Sequence, residues 1–197
     1  MTTNADPRTL LHGALALFGS QVALVDRARL DAPTPCADWT VHDLIDHVVE
    51  EELWAPPLLA GEPVEQIGDR FEGDHLGDDP AGAWRSAADA TRRATATDDA
   101  LEAEVRLPGR VISGADFMFE LFADHLIHSW DLARAVGGDE RLPADLVAAC
   151  SRWFDAHEQT WRAEGQIGPA VAVPPDATPQ ARLLARFGRD GTPVTPT

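Results

Sequence analysis

A long helical signal runs from about Ala115 to Gly137-Gly138, and it dictates what the remainder must do. Phe117, Leu121, Asp124, His128 and Asp131 recur at spacings of three and four, so they share one face of a helix. A helix of this kind gains most of its stability by packing its apolar face on something else, so partner helices are required. The periodicity supplies them. From Pro7 to about Leu30, Leu10, Ala14, Leu17, Val22 and Val25 fall near helical spacing, with Pro7 suited to a first turn. The segment DAPTPCADW interrupts the pattern with two prolines. Thr40 then reads as an N-cap, and Asp43 three residues on completes something close to a capping box. The helix it opens carries Val41, Leu44 and Val48 and is expected to end near Trp54, before Pro56-Pro57.

Residues 58–79, acidic and rich in Gly and Pro, read as a loop, and an Ala-rich third helix is expected from Pro80 to about Val105. RLPGRVISG suits a short hairpin or turn, and another helix is expected from Pro143 to about Glu164, stopped by Gly165. Beyond it lie an extended apolar patch, AVAVP, and a helical turn or two around ARLLARFG. The expected fold is therefore all-α. Residues 1–165 should form an up-and-down four-helix bundle with an additional C-terminal helix, and residues 166–197 a short irregular extension packing on it.

Composition narrows the partners. The chain of 197 residues carries 33 acidic and 16 basic side chains, a formal net charge of −17, and every basic residue is Arg. Phosphate backbones call for clustered cations, so nucleic acid is excluded as a partner. No apolar run approaches the roughly 18 residues of a membrane span, so no membrane partner is expected. The N-terminus, MTTNADPRTL, lacks the basic and apolar stretches of a secretory signal, and the expected location is the cytoplasm. Cys36 and Cys150 form no CxxC pair and no disulfide framework.

Chemistry concentrates in DHLIHSWDLARAVG. Asp124 and His128, four residues apart, lie only about 40° apart around a helix axis and can hold one cation, or can simply hydrogen-bond each other. One such pair needs a third ligand from elsewhere. His47, on the broad face of the second helix with Leu44, Val48 and Glu51, is the natural candidate, although a single helical His is more often packed or solvated. Glu51 could add a fourth ligand but reads better as a solvated carboxylate. His125, about 100° away from Asp124, is expected to face solvent or a groove wall, and His42 to be exposed. Trp130 should be core, Asp131 should pair with Arg134, and Cys36 should be a buried structural thiol.

Three blocks, TPCADWTVHDLIDHVV, DHLIHSWDLARAVG and PQARLLARFGRDG, resemble the signatures of an actinobacterial family in the DinB-like superfamily. That family is related to the N-terminal metal-binding domain of mycothiol-dependent maleylpyruvate isomerases. The resemblance spans nearly the whole chain and implies a DinB-like four-helix bundle holding a divalent metal, commonly zinc or nickel. One His from the second helix and an acidic residue and a His from the fourth would bind it; here these are His47, Asp124 and His128. The isomerases carry Glu at the acidic position, and Asp124 is one methylene shorter.

Three protein ligands leave positions open for substrate, as in catalytic metal sites. The resemblance implies a metal-dependent thiol S-transferase or thiol-assisted isomerase, with mycothiol as the low-molecular-weight thiol and an electrophilic small molecule as substrate. A non-catalytic metal or small-molecule-binding accessory protein is the alternative, and a hydrolase using Glu51 as base is a third. No residue is assigned a catalytic role, and a homodimer is compatible with the bundle without any patch requiring it.

Overall fold

The computed structural model of the chain describes residues 5–191. Four long helices build the first part: α1 (Pro7–Val22), α2 (Val41–Leu59), α4 (Pro80–Ala94) and α6 (Gly114–Val136). Between them lie a 3-10 turn (Arg27–Arg29), the short helices α3 (Val64–Ile67) and α5 (Asp99–Glu102), and an antiparallel hairpin of β1 (Glu104–Leu107) and β2 (Arg110–Ser113). Two further helices follow, α7 (Ala144–Ala163) and α8 (Pro179–Arg186). Among the described residues the fold is all-α apart from that one hairpin, in the DinB-like manner. The chain forms two compact units, Met1–Glu140 and Arg141–Thr197.

In the first unit α1 packs on α4 and α6, and α2 packs on the same two helices. The connections α1–α2 and α4–α6 therefore cross the bundle's diagonal. Leu11, Ala14, Leu15 and Phe18 of α1 meet a core that includes Leu44, Ile45 and Val48 of α2 and Phe122 and Leu126 of α6, all fully buried. Each such large side chain contributes roughly 1.5–3 kcal/mol on removal from water.

The elements begin and end where their capping chemistry says. Thr40 and Asp43 form a reciprocal capping box: Asp43 N–H donates to Thr40 Oγ1 at 3.2 Å, and Thr40 N–H donates to Asp43 Oδ2 at 2.9 Å. Ser113, the last residue of β2, caps α6 by accepting from Asp116 N–H, so the hairpin sets the start of that helix. Gly137 ends it at φ 72°, the left-handed conformation Gly adopts without penalty.

Three expectations shift. α1 stops at Val22, well short of Leu30, and α4 at Ala94 rather than Val105. α2 runs through Pro56 and Pro57 to Leu59 instead of stopping at Trp54. Pro56 has no N–H to give the Glu52 carbonyl four residues back, and the Thr91 hydroxyl of α4 donates to that carbonyl instead, at 3.1 Å. Replacing the missing bond from a neighbouring helix lets the last turn survive.

The second unit packs α7 on α8. Phe154 and Phe187 stack at 4.0 Å, with Trp161 edge-on to both rings. Residues 170–174, the AVAVP patch, have no regular secondary structure.

Candidate metal centre

The polar residues gather where α2 and α6 face each other. Along α6, Met118, Phe122, His125, Ser129 and Leu132 are buried at coiled-coil spacing. Beside that row run Phe117, Leu121, Asp124, His128 and Asp131. Along α2 the buried row is Val41, Ile45, Val48, Glu52, Ala55 and Leu59, with His47 and Glu51 at its edge.

The structure brings His47, Asp124 and His128 together, with one ligand atom from each lying within 4.8 Å of the other two. Asp124 Oδ1 is 3.3 Å from His128 Nε2, and Asp124 Oδ2 is 3.8 Å from His47 Nε2. Donors around a tetrahedral zinc, each about 2.1 Å from the ion, stand roughly 3.4 Å apart, so these separations suit a small divalent cation. The donor set of two imidazoles and a carboxylate suits one chemically. Asp124 Oδ2 is buried with no hydrogen-bond partner, an atom left in want of a positive charge. His47 and Asp124 keep side-chain exposures of 30% and 23%, so the cluster opens to one side, while His128 closes its floor at 8%.

His128 is held from behind. Its Nδ1 lies 3.0 Å from Asp131 Oδ2, and Asp131 is fully buried. The Cys36 thiol donates to the same oxygen at 3.2 Å, and Cys36 Sγ lies 3.7 Å from His128 Nδ1. A carboxylate behind one ring nitrogen turns the other outward, the support that metal-binding histidines use. Cys36 and Trp39 reach the site from the tight PTPCADWT loop, where Trp39 N–H donates to the Cys36 carbonyl at 3.1 Å. The Trp39 ring covers His47 at 4.8 Å and stacks on His128 at 5.9 Å.

The electrostatics are those of a coupled cluster. Burial alone would raise the Asp124 carboxyl, but His128 and His47 outweigh it and hold the group well below the usual carboxylate range. Burial would lower His128, and Asp124 with Asp131 and Cys36 reverses this and holds it well above the usual imidazole range. Glu51 has no such support; burial and the neighbouring Asp124 charge push it well up.

Several residues depart from their expected roles. His125 faces neither solvent nor a groove: it is 0% exposed, its Nε2 2.7 Å from Oε1 of the equally buried Glu52. α6 is covered nearly all round through this stretch, so an offset of 100° from Asp124 still points into protein. Asp131, expected to serve Arg134, supports His128, while Arg134 meets Glu140 at 2.7 Å and stacks over the buried Trp130. Cys36 is partly exposed at the site rather than a sealed core thiol. Glu51 is half-buried, 3.7 Å from His47 Nε2. His42 is half-buried too, 3.4 Å from Asp74. Sequence reasoning missed Glu52, yet it sits on the buried row of α2 where only apolar residues belong. A Glu and a His on two core rows were the signal for a buried pair.

Four helices enclosing a cluster of histidines and carboxylates define a helical-bundle protein of the DinB-like kind. The chain belongs to the family of the mycothiol maleylpyruvate isomerase N-terminal domain, whose signature spans residues 11–133 and so includes His47, Asp124 and His128. It is similar to an uncharacterized protein of Mycobacterium tuberculosis in strains CDC 1551 and H37Rv, at 29% identity over 196 residues, covering 92% of this chain and 96% of the relative. The fold also matches crystal structures of the mycothiol-dependent maleylpyruvate isomerase and of its histidine-to-alanine mutant. Both give a TM-score of 0.63 at 21% and 20% identity, covering 84% of this chain and 75% of theirs. Among the described residues no helix is long and apolar enough to cross a membrane.

Proposed function

We propose that the protein holds a divalent cation, zinc or nickel, with His47, Asp124 and His128, and uses it in a mycothiol-dependent S-transfer or isomerisation of an electrophilic small molecule. The observation that carries this reading is the convergence of those three side chains, with an orphaned Asp124 oxygen, in a member of the isomerase-domain family. A cation there supplies positive charge that favours the ionised, nucleophilic form of a thiol brought to it near neutral pH.

The chain's own residues prepare that place. Asp131 fixes the His128 ring by accepting from Nδ1–H, so Nε2 is presented beside Asp124. Trp39 covers one side of both histidines and keeps water from their rings. The half-exposed edge formed by His47, Glu51 and Asp124 is the side from which a thiol and an electrophile can approach. The position of Glu51 beside His47 favours one further reading, a thiol-independent hydrolase with Glu51 as base.

Zinc-loaded protein is mixed with mycothiol and a panel of electrophiles that includes maleylpyruvate, for wild type and His47→Ala. Consumption of an electrophile that needs the thiol, and is lost in His47→Ala, is the expected result. A protein that keeps its metal but shows no thiol-dependent turnover is an accessory binder. Turnover without thiol, abolished by Glu51→Gln, makes it a hydrolase.

A further inference from the structure

Asp124 and Glu51 each turn their two oxygens toward different neighbours. Asp124 Oδ1 faces His128, while Oδ2 lies 3.8 Å from His47 Nε2 and 3.8 Å from His125 Nδ1. Glu51 Oε1 lies 3.7 Å from His47 Nε2, and Oε2 lies 3.6 Å from His125 Nδ1. Behind the first cluster a second therefore forms, in which one ligand atom each from Glu51, Asp124 and His125 lies within 4.8 Å of the others. Glu51 Oε2, Asp124 Oδ2 and His125 Nδ1 are all buried without a hydrogen-bond partner.

His125 Nε2 lies 2.7 Å from Oε1 of the fully buried Glu52, so that nitrogen is engaged and Nδ1 is the one turned toward Glu51 and Asp124. Phe18 and Trp84 flank the His125 ring at 6.4 and 6.2 Å and keep it in apolar surroundings. Gly19 permits this: a Cβ there would come within 2.6 Å of the Trp84 indole nitrogen. Three buried ligand atoms thus converge, none with a hydrogen-bond partner. The His125 nitrogen lies too far from either carboxylate for a good hydrogen bond, at 3.6 and 3.8 Å. Buried polar atoms left so cost free energy that a cation would recover.

We propose that Glu51, Asp124 and His125 form a second divalent-cation site, with the Asp124 carboxylate bridging it to the His47/Asp124/His128 cluster. One imidazole and two carboxylates select a first-row cation such as zinc or manganese over calcium. Glu52 is its positioning residue, standing to His125 as Asp131 stands to His128. Helical bundles hold paired cations in this way, between carboxylates and histidines of facing helices. The site stands on its own three donors; it shares Asp124 with the proposed metal centre and Glu51 with the open edge of that centre, so it is tested by counting bound ions and not by activity.

Full-length protein stripped of metal is dialysed to equilibrium against excess zinc, and bound zinc is counted for wild type, Glu51→Gln and His47→Ala. Circular dichroism checks that each variant keeps its helices. Two zinc ions in wild type and one in each variant are expected. Two in wild type with both kept in Glu51→Gln overturns the second site. A single ion that survives Glu51→Gln and vanishes in His47→Ala also overturns it and leaves the first site standing. A single ion lost in Glu51→Gln but kept in His47→Ala supports the second site and overturns the first. If Glu51→Gln loses helicity, His125→Gln replaces it, since its amide can still donate to Glu52.

Discussion

Two clusters of carboxylates, one in each compact unit, meet opposite partners. In the second, Glu158 lies 2.7 Å from Arg162 and 2.8 Å from Arg186, and Asp155 lies 3.0 Å from Arg186. Both of these acids have a guanidinium, and Arg186 also covers the Phe154 ring at 4.9 Å. In the first unit, the ion-pair partners of Glu51, Glu52 and Asp124 are all histidines, and each of these acids keeps a buried oxygen with no hydrogen-bond partner. Arginine is abundant in the chain, so its exclusion from this cluster is informative. A guanidinium would satisfy the acids permanently, whereas histidines and bare oxygens leave room for a cation, as the proposed function requires.

The largest expected effect tests the structural half of that contrast. Phe154 is fully buried and stacked on Phe187, so Phe154→Ala should cost about 3–5 kcal/mol in urea unfolding. A loss below about 1 kcal/mol would mean that the aromatic stack is not what holds the second unit.

Next comes the support behind His128. Asp131→Asn keeps the shape and removes the charge that orients the ring, and should weaken zinc binding about 10- to 100-fold in competition with a chelator of known affinity. Unchanged affinity would reduce Asp131 to a packing role.

The sharpest test is a pair of isosteric changes with opposite signs. Burial would raise the Glu158 carboxyl, but Arg186 and Arg162 outweigh it and hold the group below its usual value. A depressed carboxyl contributes stability that is present above the unfolded value, about 4.3, and is lost as pH falls through the folded one. Glu158→Gln should therefore cost about 1 kcal/mol at neutral pH, and the deficit should vanish in acid. Glu51→Gln, by contrast, removes a carboxyl whose ionised form burial and Asp124 disfavour, and should stabilise the metal-free protein by no more than about 1 kcal/mol, seen as a higher melting temperature. Destabilisation by both changes would erase the distinction between the units.

Much of this was readable from residue spacing. The Asp124/His128 pair, the Thr40–Asp43 box and the Gly137 stop are local features, and local chemistry decides them. The Pro56-Pro57 stop failed because the substitute donor, Thr91, lies 39 residues away along the chain. His125 and Asp131 failed for a related reason: their roles depend on which faces of α6 are covered, and packing covers nearly all of them. Glu52 was legible in principle, since a carboxylate on an otherwise apolar row demands a buried partner.

The most direct test of the metal reading is the metal content of protein purified without chelators and then incubated with zinc, for wild type and His128→Ala side by side. Wild type should retain bound divalent cation, and His128→Ala should hold at least one ion fewer per chain. A wild type that holds no cation even with zinc supplied, or a His128→Ala protein that holds as much as wild type, would contradict it.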